Sequence, residues 1–270
     1  MLAAVGKEEE VTMRNEEWNA ACDGIEAATR LSMVGITDET QQGIGTGTLV
    51  RWRGHHLILT AEHVIAGALS ESLRFLLPPD SPPIEVTREI LSTLTAVPRK
   101  AARASLEIKV GRVVRDPELD LAAIEVESSL EKRYPIRFFD FAEGGRTPVE
   151  GQMTIIAGFP WDISRSMNKS ERLVFPQSEW TYVESNREIR DFDPAKHFLA
   201  HYNWAETYPD AKPHGISGAA MWFRLGTTPV VWHPNLDIAG VAITYYPGVR
   251  LMKIVRREAV EEFLTVRVSW

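Results

Sequence analysis

A chain of 270 residues, 44% hydrophobic and 25% charged, has the composition of a globular protein and the length for two packed halves in one functional unit. Its formal charge of −7 excludes a general nucleic-acid binder, which needs clustered positive charge. The single cysteine, Cys22, excludes an intramolecular disulfide and fits a reducing compartment.

The chain opens with few apolar groups and turns acidic at Glu8, Glu9 and Glu10, without the basic start and apolar core of a signal peptide. No apolar run is long enough to span a bilayer, so the expectation is a cytoplasmic protein with no membrane or nucleic-acid partner. Over residues 15–31 the apolar positions Trp18, Ala21, Cys22, Ile25 and Ala28 recur every three or four residues, the spacing of an amphipathic helix. Short β-rich runs follow. Strands are expected at 32–37 and 45–52, then a turn at Arg53-Gly54-His55 and a hairpin partner at 56–60. The glycines of Gly43-Ile-Gly45-Thr-Gly47 lack the Gly-Lys-Ser/Thr ending and the following helix of a phosphate loop, and mark a bulge or tight bend instead.

Further strands are expected at 73–77, 106–114 and 119–126, with a proline-broken loop at 78–83, an exposed loop at 93–104 carrying Arg99, Lys100 and Arg103, and a turn at 115–118. A break at 129–135 separates the halves. The second half has strands at 153–158, 219–223, 228–232, 237–244 and 249–254, and a polar, aromatic stretch over 162–212 of the kind that forms functional loops. Its tryptophans, Trp161, Trp180, Trp204, Trp222 and Trp232, read as core or loop anchors. Residues 256–264 end the chain with the spacing of a short amphipathic helix.

Three polar features interrupt this β texture in the order Thr60-Ala-Glu-His63, Asp120-Leu-Ala and Gly215-Ile-Ser217-Gly218. Serine is a weak nucleophile and needs an adjacent base, a task for which neutral histidine has the right basicity near pH 7. A carboxylate fixes the histidine tautomer and stabilises the imidazolium. The order His, Asp, Ser differs from the Ser, Asp, His of nucleophile-elbow hydrolases and from the Asp, His, Ser of subtilisins. A rival chemistry lies in His197-Phe-Leu-Ala-His201, whose i, i+4 spacing would align two imidazoles for a metal if it were helical; no glutamate sits inside it and no cysteine is near.

On Gly45-Thr-Gly47-Thr-Leu-Val50, Leu59-Thr-Ala-Glu-His63-Val, Asp120-Leu-Ala-Ala-Ile124, Gly158-Phe-Pro160, Gly215-Ile-Ser217-Gly218 and Gly240-Val-Ala-Ile-Thr244, the chain resembles the chymotrypsin-like (trypsin-like) serine peptidases, nearest the bacterial HtrA-related branch without a PDZ domain. The resemblance implies an all-β fold of two six-stranded antiparallel β-barrels: an N-terminal tail and helix at 1–31, a first barrel at 32–134, a second at 135–255, and a C-terminal helix and tail at 256–270. It implies catalysis by His63, Asp120 and Ser217 on a protein or peptide substrate, with the backbone N–H groups of Gly215 and Ser217 as the oxyanion hole. Substrate would lie against Ile243, Thr244 and Tyr245, with Ala211 near the pocket floor and His214 on its rim. No cofactor or metal is implied. The alternative is an inactive protease-fold module that binds peptides or partner proteins.

Five positions depart from the family pattern. Ile216 stands where an Asp pairs with a newly cut N-terminus, which implies constitutive activity or ordering of 162–212 by an activating partner or oligomer. Glu62 stands where Ala is usual and needs a partner or solvent. Ala219-Ala220 replaces Gly-Pro, and Ile243 stands where a Ser often supports the triad Asp.

Overall fold

The computed structural model describes residues 28–37, 43–66, 74–76, 105–106, 110–148, 154–159, 173–177, 189, 191–201, 214–224 and 236–268. Alternation of β-branched and small residues between turn signals builds the first sheet from β1 (Met33–Thr37), β2 (Gly43–Trp52), β3 (His55–Ala61), β4 (Arg74–Leu76), β5 (Ser105–Leu106), β6 (Val110–Asp116), β7 (Leu121–Val126) and β8 (Phe139–Asp140). Their order is β5-β4-β1-β2-β3-β7-β6, with β8 beside β2 in the one parallel pairing of the described strands. β2 and β3 meet through the two-residue turn Arg53-Gly54, both with positive φ (47° and 88°), the geometry whose twist matches a hairpin.

Two short helices punctuate this half: α1 (Glu62–Ala66) follows β3 directly, and α2 (Leu130–Arg133) occupies the break between the halves. The second sheet holds β9 (Thr154–Gly158), β10 (Leu173–Gln177), β11 (His197–His201), β12 (Ala220–Arg224), β13 (Leu236–Tyr246) and β14 (Leu251–Arg256) in the order β10-β9-β12-β13-β14-β11, all antiparallel. Helix α3 (Arg257–Val268) follows β14 without a break. One continuous core joins the sheets: Leu49, Ile58 and Ile124 of the first pack in a cluster with Ile155, Trp222 and Val241 of the second and with Val260, Phe263 and Leu264 of α3.

The architecture is thus two mainly antiparallel sheets and a C-terminal helix, as the β texture predicts, with departures in detail. The first sheet has eight described strands: the run expected as one strand at 106–114 contributes described residues to both β5 and β6, which pair with different neighbours, and the two-residue β8 is too short to read from sequence. The turn expected at 115–118 lies at 117–120, so Asp120 closes the turn rather than heading a strand. The segment 197–201 is a strand, which sets its two histidine positions about 13 Å apart along the chain, too far to share a metal. Of the helix expected at 15–31 only the last turn is described, running into the 3-10 turn Arg30–Ser32. The loops at 78–83 and 93–104, the strand at 228–232 and four of the five tryptophans lie outside the described residues. The fifth, Trp222, is 1% exposed and meets Phe139 edge-on, ring centroids 4.9 Å apart.

The junction of the halves is held by a buried arginine. Arg257, 1% exposed, donates to the carboxylates of Asp237 and Glu261 and to the carbonyls of Ile238 and Ala142, and its guanidinium lies 4.3 Å from the Phe141 ring centroid. The same carboxylates accept the N–H groups of Gly144, Gly145 and Arg146. A buried charge is tolerated only when its donors are filled in this way. The network pins the segment after β8 against β13 and α3.

Candidate active site

His63 is set by the junction of β3 and α1. Thr60 and Ala61 are fully buried at the strand end, and the chain then turns into a helix whose second residue is His63, with its side chain half exposed (49%). Asp116 shapes the approach from the other side by accepting the N–H groups of Glu118 and Leu119 at 3.1 Å each. The chain leaves that turn at Asp120 with φ of 54°, a left-handed conformation that aspartate tolerates better than most residues. The result is a close fit of backbone and side chain. The Asp120 carbonyl accepts Glu62 N–H at 3.0 Å, and its carboxylate accepts His63 N–H at 2.9 Å. The same carboxylate faces His63 Nδ1 at 2.7 and 3.0 Å. Because a carboxylate only accepts, Nδ1 carries the ring proton and Nε2 keeps its lone pair. Glu62, only 16% exposed, has a cationic neighbour in Arg115 at 3.7 Å, the partner its position called for.

Ser217 sits in a turn between two glycines of positive φ, Gly215 (91°) and Gly218 (89°). At Gly218 a side chain could not be accommodated: a Cβ there would lie 2.1 Å from the carbonyl oxygen of Thr46 and 2.2 Å from Thr60 Oγ1. The turn is therefore pressed against the end of β3, immediately before His63. Thr46 holds it there. Its N–H donates to Ser217 O at 2.9 Å, its hydroxyl donates to Gly215 O at 2.6 Å and accepts Phe159 N–H at 2.9 Å, and its carbonyl accepts the Thr60 hydroxyl at 2.7 Å. Two residues along β2, Thr48 accepts Ala220 N–H at 3.0 Å. Thr46 is a positioning residue that sequence reading passed over, and its only signal was a hydroxyl residue between two glycines on a strand.

On the other side Gly218 N–H donates to Ala242 O at 2.7 Å, and Ala242 N–H to Ala219 O at 2.9 Å. Ile216, 1% exposed, faces the interior. The Ser217 hydroxyl donates to Ile243 O at 3.3 Å; among the described residues it forms no hydrogen bond to His63. The Gly215 and Ser217 N–H groups donate to no acceptor among the described residues. Past Ala242, β13 keeps β14 on one edge, while the edge from Ile243 to Tyr246 carries no described strand. Thr244 and Tyr245 on it are partly exposed, and burial raises the Tyr245 pKa. His214 is exposed at the start of the serine turn; Ala211 lies outside the described residues. Among the described residues no group of His, Cys, Asp and Glu could hold a metal, and no helix is long and apolar enough to cross a membrane.

The structure thus brings His63 and Asp120 into contact and docks the Ser217 turn against the strand leading to His63. No protein of curated function matches the sequence significantly. Among solved structures, the Rv3671c protease of M. tuberculosis in its active form is 17% identical, over 91% of this chain and 84% of that one, with a TM-score of 0.52. The inactive form of the same protease is 15% identical, over 92% and 95%, again at 0.52. At these identities the likeness is one of fold. The model of the trypsin-like peptidase domain matches residues 45–221, more than half of the chain, from the strand that carries Thr46 to the strand that follows Ser217. By that match the chain belongs to the trypsin-like peptidase domain family.

Proposed function

We propose that the protein is a serine endopeptidase that hydrolyses peptide bonds in a protein or peptide through an acyl-enzyme. The observation that carries this reading is the His63–Asp120 pair: a carboxylate on Nδ1 leaves Nε2 to act as the base, and the serine turn is docked against the end of β3, the strand that leads into His63. In this reading the Ser217 hydroxyl leaves Ile243 O, passes its proton to Nε2 and attacks the substrate carbonyl; the imidazolium, stabilised by Asp120, then protonates the leaving amine. The Gly215 and Ser217 N–H groups, which donate to no described acceptor, receive the oxyanion, each worth about 2.7–4 kcal/mol in comparable sites. The edge of β13 at Ile243 and Thr244, beside which no strand is described, takes the substrate backbone as an added strand. The two sheets are read as the two barrels of the family fold, and the single cysteine supports a reducing, cytoplasmic setting.

One observation favours a second reading, a module that binds peptides without cutting them or awaits an activating partner: the Ser217 hydroxyl rests on Ile243 O rather than on His63. Catalytic hydrogen bonds are often loose before substrate binds, which keeps hydrolysis the preferred reading. Incubation with a peptide library, read by mass spectrometry, separates the two. New termini that appear with the native protein and vanish with Ser217→Ala support hydrolysis; a library left intact by the native protein, alone or with a cell extract as source of an activator, contradicts it.

A further inference from the structure

The hairpin of β6 and β7 closes at the pair Asp116–Leu121, which leaves residues 117–120 as its turn. Asp120, the last of them, is the residue that holds His63. Strand register fixes part of its position: Leu121 pairs with Ala61, so Asp120 lies level with Glu62 and accepts its N–H at 3.0 Å. Register does not fix the left-handed backbone of Asp120, φ 54°, which a non-glycine residue keeps only where its surroundings impose it.

The Asp116 carboxylate imposes it. One of its oxygens accepts the N–H groups of both Glu118 and Leu119 at 3.1 Å, which ties the middle of the turn back to the strand end it left. The chain then has one residue, Asp120, in which to swing into β7. The Asp116 side chain is only 18% exposed, so water is a poor substitute for it. Its other oxygen lies 3.9 Å from Arg267 of α3, a long pair whose arginine is solvated and which contributes little. The neighbouring Arg115 braces the other partner, its guanidinium 3.7 Å from the carboxylate of Glu62, the residue before His63.

We infer that Asp116 is a positioning residue for the His63–Asp120 pair, and that it works as a hydrogen-bond acceptor within the turn and not as a charge. By holding Glu118 and Leu119 it fixes the backbone from which Asp120 reaches the His63 N–H at 2.9 Å and Nδ1 at 2.7 Å. The kinetic consequence rests on the peptidase reading; the geometric consequence is measurable without catalysis.

Two conservative variants separate acceptor from charge. Asp116→Asn keeps an acceptor oxygen in place and loses the charge, whereas Asp116→Glu keeps the charge and carries the carboxylate one methylene away from the turn. Each is made in the full chain, and again with Ser217→Ala in protein labelled with 15N at histidine. There the backbone N–H resonance of His63, assigned by its absence from His63→Gln, reports the bond to Asp120. The expected result is a native resonance and a kcat within about threefold for Asp116→Asn. Asp116→Glu moves the resonance and lowers kcat by about 10²-fold with KM little changed, as a small misplacement of a catalytic group does. Asp116→Ala, which removes the acceptor, behaves like the glutamate variant and replaces it if that variant does not fold. An asparagine variant as impaired as the glutamate one, or more so, overturns the inference. So does a resonance unmoved by glutamate and alanine, or an unchanged kcat at reduced stability, which makes Asp116 structural only. If the native chain cleaves no peptide, the peptidase reading fails and the resonance alone decides: moved by glutamate and alanine but not by asparagine, it supports the role of Asp116, and any other pattern overturns it.

Discussion

Asp120 grips His63 twice, through the backbone N–H and through the ring, and it does so from a left-handed backbone. Replacing it with asparagine keeps the shape but lets the side-chain amide face Nδ1, which favours the wrong tautomer. The expected cost is about 10⁴ in kcat, a magnitude borrowed from the type case of this family, with KM little changed. Steady-state kinetics on a cleaved peptide would show it; a loss below tenfold would mean that Asp120 does not orient the base. At His197, where burial and then the Lys253 charge push the pKa down to about 4, the sign of a pH effect follows from that shift. The unfolded chain, with a histidine pKa of about 6.5, takes up a proton that the folded ring refuses, so stability is full above about pH 6.5 and is lost as the pH falls towards 4. The loss amounts to at most about 3 kcal/mol. Urea unfolding at pH 7 and pH 4.5 should show this slope, and His197→Gln should flatten it.

Among the elements, β2 is both a core strand and the bracket of the serine turn. Thr46→Val keeps the volume and removes the hydroxyl, leaving Gly215 O and Phe159 N–H without their partner. A cost of about 1–3 kcal/mol follows from two stranded buried groups, and the loosened turn should lower kcat more than it raises KM. An unchanged kcat with reduced stability would make Thr46 structural only. The contrast between what the sequence showed and what it hid is clearest here. β2, β3 and β13 were legible because runs of β-branched and small residues stand between turn signals, and His63, Asp120 and Ser217 stand out as candidates because chain order narrows the convergent triads. The bond from Thr46 to a turn 169 positions away has no local signature. Nor has the left-handed φ of Asp120, since a strand head and a turn end share the same letters. The spacing of His197 and His201 fits a helix and a strand equally well, and pairing with β14 decided for the strand. Ser105–Leu106 and Phe139–Asp140 are too short for any periodicity.

For the whole molecule, the two sheets share one core, and Arg257 is buried where the segment after β8 meets β13 and α3. Arg257→Met would strand the Asp237 carboxylate inside that core, and breaking a buried pair in this way costs about 3–5 kcal/mol. The expected outcome in denaturant is a midpoint shifted down with the slope unchanged; a midpoint within experimental error of the native one would show that the network contributes little. The central claim is that Ser217 is a nucleophile served by His63, and a fluorophosphonate probe followed by peptide mass spectrometry tests it most directly. The account predicts one adduct, on Ser217, absent in Ser217→Ala and slowed by about 10³-fold or more in His63→Ala. A folded protein that takes up no label at Ser217, or takes it up equally fast without His63, would contradict it.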